Sequence, residues 1–320
     1  MNVSRLIPTT AVAGAVVLGL TACSASDAAD HKNGDKLNVV ASFYPMQFLA
    51  EQIGGKHVSV TTLTKPGVEP HDLELTPRQI GGLGDADYIL YLKGIQPAVD
   101  DAIKLSESTH SVDAAKLTTL EDHGTETGGD EHGHEDEHGH EHEGEGAGAD
   151  PHIWLDPVKY AEVAKGVGAS LEKTDPGHAA DYRKNTDALV KRLDTLNTAY
   201  ETGLRNTATK TFVTTHSAFG YLAERYGLVQ EGIAGIDPEA EPSPARIQEI
   251  HTIAEKSKAT TVFFETLASD KTAKTVAADT GLRTDVLDPL EGITDKSKGD
   301  NYFEVMQSNL AALQKALGAK

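Results

Sequence analysis

The chain has 320 residues, 38% of them hydrophobic and only 5% aromatic, which is enough for two ordinary domains and too polar for a polytopic membrane protein. It carries 29 Lys and Arg against 49 Asp and Glu, and this formal charge of −20 disfavours nucleic acid or anionic lipid as a partner. The acidity is local: residues 121–145 hold eleven carboxylates, no Lys or Arg, and six of the fourteen histidines.

The N-terminus reads as an address. Arg5 precedes a largely apolar run from Leu6 to Leu20. That run is shorter than the roughly 20 apolar residues of a spanning helix and suits a signal-peptide core. It ends in Leu20-Thr21-Ala22-Cys23, which resembles a bacterial lipobox, where the cysteine is acylated and becomes the first residue after cleavage. Residues 1–22 are then a lipoprotein signal peptide, and 23–36 a polar tether holding the protein to the outer face of a membrane through Cys23. Two or three acyl chains anchor stably where one is marginal. Because Cys23 is the only cysteine, an internal disulfide, a Cys-based zinc site and an iron–sulfur cluster are excluded.

Beyond the tether the pattern alternates. Strands are expected at Leu37–Phe43, Val58–Leu63 and Asp87–Leu92, with helices at Pro45–Ile53 and Arg78–Leu83. From Glu121 to Ala149 almost nothing apolar is available to offset ordering entropy, so a disordered loop is expected there. Asp156-Pro157 supplies an N-cap and first-turn pair for a helix over Val158–Leu171. A second helix, from about Gly177 to Arg205, has Tyr182, Leu189, Leu193, Leu196 and Tyr200 at helical spacing and would be about 40 Å long. The rhythm then resumes, with strands at Thr211–Thr215, Val229–Ile233, Thr261–Glu265 and Arg283–Leu287. Helices are expected at Ser217–Tyr226, Ala245–Ser257, Lys271–Asp279 and Tyr302–Leu317. The expected class is α/β: two α/β lobes, each a parallel sheet flanked by helices, at 37–175 and 207–320, joined by one long rigid helix at 176–206.

Three histidines outside the acidic loop fall at or beyond predicted strand ends, where open α/β sheets place ligands: His71, His152 and His216. Pro70 and Pro151 fix the backbone before two of them. Taken singly, each has an ordinary reading as a hydrogen-bonded core or surface histidine. Taken together they are a set of imidazoles of the kind zinc favours, and a tetrahedral site needs one more donor. Glu291, Asp288 and Glu69 are the available carboxylates.

Five motifs in order then identify a relationship. Glu69-Pro70-His71-Asp72-Leu73-Glu74-Leu75-Thr76-Pro77 with Asp85-Ala86-Asp87 and Gly94 resembles the first ligand region of the cluster A-I solute-binding proteins, the zinc- and manganese-binding components of ABC importers. Asp150-Pro151-His152-Ile153-Trp154-Leu155-Asp156-Pro157 is similar to the second, and Thr215-His216-Ser217-Ala218-Phe219-Gly220-Tyr221-Leu222 with Tyr226-Gly227-Leu228 to the third. Glu241-Pro242-Ser243-Pro244 and Leu287-Asp288-Pro289-Leu290-Glu291 match the C-lobe pattern. The resemblance implies a metal site in the interlobe cleft with ligands His71, His152 and His216, and Glu291 as the fourth. Glu69, Asp288 or a water are the alternatives at that position. It also implies partners: an importer permease and its ATPase.

Three imidazoles and one carboxylate suit zinc better than manganese, which prefers oxygen, so Zn2+ is the expected cargo and manganese the alternative. In the loop, His123, His132, His134, His138, His140 and His142 alternate with carboxylates and offer many weak capture sites for a divalent cation. An enzyme is not expected: there is no HExxH and no Gly-x-Ser-x-Gly elbow. A zinc hydrolase or a surface adhesin are the remaining, weaker readings, and the protein is expected to be a monomer.

Overall fold

The computed structural model describes residues 36–106, 110–123 and 149–320. Cys23 and the loop histidines His132, His134, His138, His140 and His142 lie outside the described residues; His123 is inside them.

The N-terminal sheet is formed by β1 (Leu37–Ala41), β2 (Val58–Thr62), β3 (Tyr88–Tyr91) and β4 (Ser111–Asp113) in the order β2-β1-β3-β4, all parallel. The C-terminal sheet repeats that order with β5 (Thr211–Thr214), β6 (Val229–Gly232), β7 (Thr261–Phe264) and β8 (Arg283–Val286), arranged β6-β5-β7-β8 and again all parallel. In each sheet the chain turns one way from its first strand and then crosses to the other side. Such a reversal leaves a crevice at the carboxyl ends of the strands.

Helices α1 (Tyr44–Gly54), α2 (Pro77–Gly84) and α3 (Pro97–Ser106) belong to the first sheet, and α6 (Gly220–Arg225), α7 (Pro244–Ser257) and α8 (Lys271–Thr280) to the second. Between the sheets run α4 (Pro157–Thr174) and α5 (Ala179–Leu204), and the chain closes with α9 (Tyr302–Leu317). Local chemistry sets several starts. Thr76 and Gln79 form a reciprocal capping box on α2, Asp156 accepts from the Val158 N–H at 2.9 Å on α4, and Asn301 accepts from Phe303 and Glu304 on α9. The largest departures from expectation are the helix after His216, which begins only at Gly220, and α3 and β4, which lie in a stretch the sequence pattern leaves unassigned.

The 26 residues of α5 give a rod of about 39 Å. Its buried stripe of Tyr182, Leu189, Leu193, Leu196, Tyr200 and Leu204 runs along the main core. Near its start, Asn185 donates to the Ile53 carbonyl of α1 at 2.9 Å; near its end, the Tyr200 hydroxyl donates to the Met306 carbonyl of α9 at 2.6 Å. Gly168 allows α4 to lie against it, since a Cβ there would overlap the Thr186 side chain. One helix thus packs on elements of both lobes along its length. No described helix is long and apolar enough to cross a membrane.

Candidate metal centre

His71 lies on the long connection between β2 and α2, His152 on the loop that enters α4, His216 two residues past β5, and Glu291 five residues past β8. All four face one point. Glu291 Oε1 is 3.5 Å from His71 Nε2, 3.4 Å from His152 Nε2 and 3.5 Å from His216 Nε2, and one donor atom from each residue lies within 4.8 Å of the others. Edges of this length belong to a tetrahedron whose centre is about 2.1 Å from each corner, the bond length of zinc to nitrogen or carboxylate oxygen. His152 and Glu291 are fully buried and His216 is nearly so.

The three Nε2 atoms and both Glu291 oxygens are buried and have no hydrogen-bond partner among the described residues. An unsatisfied buried polar atom costs about 1–3 kcal/mol, so five of them converging on one point match a cation-binding donor set rather than a self-satisfied core network.

The far sides of two rings are held by carboxylates. Asp150 Oδ1 pairs with His152 Nδ1 at 2.7 Å, and Glu265, immediately after β7, pairs with His216 Nδ1 at 2.8 Å. A carboxylate on Nδ1 fixes the tautomer and aims Nε2 at a metal. Asp150 and Glu265 carry no assignment in the sequence reading. Asp150 stood in a quoted motif, and its place two residues before His152 was the available signal; Glu265 is 49 residues from His216 and gave none.

Electrostatics follow from the same contacts. Burial would lower the His216 imidazole, but the Glu265 and Glu291 carboxylates override it and hold it well above its ordinary value. Burial would raise Glu291, yet the His152, His216 and His71 imidazoles gathered around it keep it well below the usual carboxylate range. Glu69 is the opposite case: burial, then the Glu291 charge, push it up to about 9. It lies with Glu265 and Glu291 beside the centre, outside the four-donor set, and its Oε1 accepts from the His71 backbone N–H at 3.1 Å. Asp288 also lies outside that set. Its Oδ1 accepts from the Leu290 N–H at 2.8 Å and its Oδ2 from Thr266 at 3.1 Å. Leu290 has φ +59°, a left-handed backbone that a branched side chain adopts only under constraint. Asp288 supplies that constraint and so shapes the turn that delivers Glu291.

The single tryptophan ties the halves of the site together. Trp154, two residues after His152, donates its indole N–H to the Pro289 carbonyl at 2.7 Å, and its own carbonyl accepts from Tyr302 at 2.7 Å. The site is therefore a nearly enclosed N3O cage with its supports assembled from both lobes.

A family profile described as "ZnuA: Zinc-uptake complex component A periplasmic" matches residues 39–316. The chain belongs to the ZnuA family. The high-affinity zinc uptake system protein ZnuA of Bacillus subtilis (strain 168) is 39% identical over 317 residues, covering 97% of both chains. Zinc-binding lipoprotein AdcA of Streptococcus pneumoniae (strain ATCC BAA-255 / R6) is 36% identical over 310 residues, 95% of this chain but 59% of AdcA, so the chain spans little more than half of that relative. Among solved structures, the Zn(II)-bound ZnuA-like domain of S. pneumoniae AdcA superposes with a TM-score of 0.72 at 32% identity, over 88% of this chain and 99% of that one. The laminin-binding protein Lmb of Streptococcus agalactiae, described as bifunctional with adhesin and metal-transporting activity, gives 0.75 at 30% identity over 88% and 100%. The ZnuA family comprises solute-binding proteins rather than enzymes, and its two-lobed α/β fold is the one found here.

Proposed function

We propose that this protein captures Zn2+ outside the cytoplasm, in a cage of His71, His152, His216 and Glu291, and presents it to the permease of an ABC importer. The observation that carries this reading is the position of Glu291 Oε1, 3.4–3.5 Å from three imidazole nitrogens. Membership of the ZnuA family and the zinc-binding names of the relatives support the choice of cargo, and three nitrogens with one oxygen suit zinc better than manganese. Two imidazoles come from the N-terminal half and two donors from the C-terminal half, so the ion bridges the lobes. With α5 packed on both, release requires loop movement around the cage more than a wide hinge.

The address belongs to the same proposal: 1–22 is a signal peptide, Cys23 carries the acyl chains, 23–36 is the tether, and the monomer works at the membrane surface. The loop histidines His123, His132, His134, His138, His140 and His142 serve as a weak zinc reservoir. Competitive titration of the processed protein with Zn2+ and Mn2+, followed by metal analysis of the tight fraction, tests the cargo. One tightly held zinc per chain that manganese does not displace is expected; preferential retention of manganese overturns the assignment. A second reading, adhesion, is favoured only by the likeness to Lmb. A metal-free, cage-disrupted variant that still adheres would support it.

A further inference from the structure

The cage uses one oxygen of one glutamate, and beside it three carboxylate oxygens are left over. Glu69 Oε1 accepts from the His71 backbone N–H at 3.1 Å. Glu265 Oε1 is taken by His216 Nδ1 at 2.8 Å and by the Thr215 hydroxyl at 3.1 Å. Glu291 Oε1 faces the three Nε2 atoms. In all three residues the second oxygen, Oε2, is buried and has no hydrogen-bond partner among the described residues. One oxygen from each of Glu69, Glu265 and Glu291 lies within 4.8 Å of the other two.

Burial separates this cluster from an ordinary acidic patch. Glu291 is fully buried and Glu265 is 4% exposed, and among the described residues neither these two nor Glu69 pairs with a Lys or Arg. Carboxylates gathered this closely away from water repel one another, and each spare oxygen forgoes the hydrogen bonds that water would supply. Zinc in the cage does not answer this, because Glu69 and Glu265 lie outside the four-donor set. Two oxygens bound to one ion at about 2.1–2.6 Å are at most about 4–5 Å apart, so a single cation can touch all three. The three residues come from separate segments: Glu69 from the connection between β2 and α2, Glu265 from the end of β7, and Glu291 from the turn beyond β8. Glu69 is only partly buried, which leaves the cluster an approach from solvent.

We infer that Glu69, Glu265 and Glu291 form an oxygen-only site for a hard divalent cation of the Mn2+ or Ca2+ class, next to the cage and joined to it through Glu291. The assignment rests on the zinc cage proposed above, whose Glu291 it shares, and refines its selectivity. Carboxylates and water suit such ions, while imidazoles suit zinc. A hard ion is therefore held beside the nitrogens rather than in place of zinc, and Glu291 bridges the two ions with its two oxygens. Three carboxylates leave the remaining coordination positions to water, so the hard ion exchanges faster than the caged one.

The test uses the full processed chain with His123, His132, His134, His138, His140 and His142 replaced by Asn, which removes the loop imidazoles. One sample is loaded with one equivalent of Zn2+ and another with one equivalent of Co2+, and both are titrated with MnCl2 and followed by electron paramagnetic resonance. One Mn2+ is expected to bind in each, with its signal broadened in the cobalt sample by the paramagnetic ion beside it. Glu69→Gln keeps an oxygen for the His71 N–H and removes the charge, so it should weaken Mn2+ about tenfold or more. Absence of any bound Mn2+ that senses cobalt, as when only a proton or a water lies between the carboxylates, overturns the inference. So does Mn2+ held equally well in Glu69→Gln. The cage reading fails separately, by the absence of one tightly held zinc per chain in metal analysis of the zinc-loaded sample.

Discussion

His71 is carried by the fourteen-residue connection 63–76, outside both sheets, and its ring stays about 10% exposed, whereas His216 sits two residues beyond β5 with 2% of its side chain exposed and Glu265 locked behind it. His152 resembles His216, with Asp150 in the supporting role and the ring fully buried. Among the described residues no carboxylate supports the His71 ring; Glu69 holds its backbone N–H instead. Two of the three imidazoles are thus pre-aimed by buried carboxylates and the third is placed by a loop. Pre-aimed ligands lose little freedom on binding, while a loop-borne ligand pays an ordering cost and moves first on release. On the proposed function, His71 is therefore expected to act as the gate of this cage, and His152, His216 and Glu291 as its fixed floor.

The sharpest break of that comparison is His216→Ala. If the about 10–16 kcal/mol of a four-ligand zinc site is shared equally, one ligand is worth about 2.5–4 kcal/mol, so affinity should fall by about two to three orders of magnitude. His71→Ala should cost several-fold less and act mainly on the rate of zinc release, read by stopped-flow chelator competition. Equal losses with unchanged release would erase the distinction between gate and floor.

Glu265→Gln tests the support behind the floor. It should weaken zinc by about 10–100-fold. It should also flatten the pH dependence, because Glu265 is the first of the two carboxylates, with Glu291, that raise His216. In the native protein zinc must displace the proton that His216 holds above its ordinary pKa, so affinity falls as pH drops; with a neutral amide that slope should shrink. A variant with reduced affinity but the native slope would mean that Glu265 only packs.

Trp154→Phe removes the indole N–H and leaves the Pro289 carbonyl buried without its donor, at a cost of about 1–3 kcal/mol in stability. Thermal unfolding of the metal-free chain measures it, and an unchanged midpoint would show that this link between the two halves of the site carries no weight.

The smallest effect concerns His123, outside the cage. Asp150 and Glu224, against the opposing effect of burial, raise His123 to about 8. A folded-state value above the ordinary 6.5 stabilises the metal-free protein fully below about pH 6.5, and the gain is lost as pH rises through about 8. Glu224 is well exposed, so screening limits the gain to under about 1 kcal/mol. Melting curves between pH 6 and 9 should show this slope in the native chain and a weaker one in Glu224→Gln.

Much of this molecule is legible along the chain because its signals are local. Strand and helix periods, Asp156-Pro157 at the start of α4, the apolar stripe of α5 and the whole span of α9 come from residues within a turn or two of one another. The elements that escape are α3, whose buried face is only Val99, Ala102 and Ile103, and β4, an edge strand of three residues. Neither is long enough for a period to stand out.

The sequence by itself determined which imidazoles were available, since Pro-His pairs and strand ends are local features and His71, His152 and His216 all occupy them. Among the carboxylates, residue chemistry alone left the choice open; the family resemblance pointed to Glu291, and the tertiary structure brings that one to the three imidazoles. Glu69, Asp288, Glu265 and Glu291 are chemically alike in the sequence. Folding pushes Glu69 up to about 9 beside the other charges, turns Asp288 to the Leu290 N–H, stations Glu265 behind His216 and aims Glu291 at three nitrogens. It also sets Glu224 against His123, 101 residues away. The reason is physical: a carboxylate's role depends on which buried donors surround it, and those donors come from the other lobe or from a distant strand end.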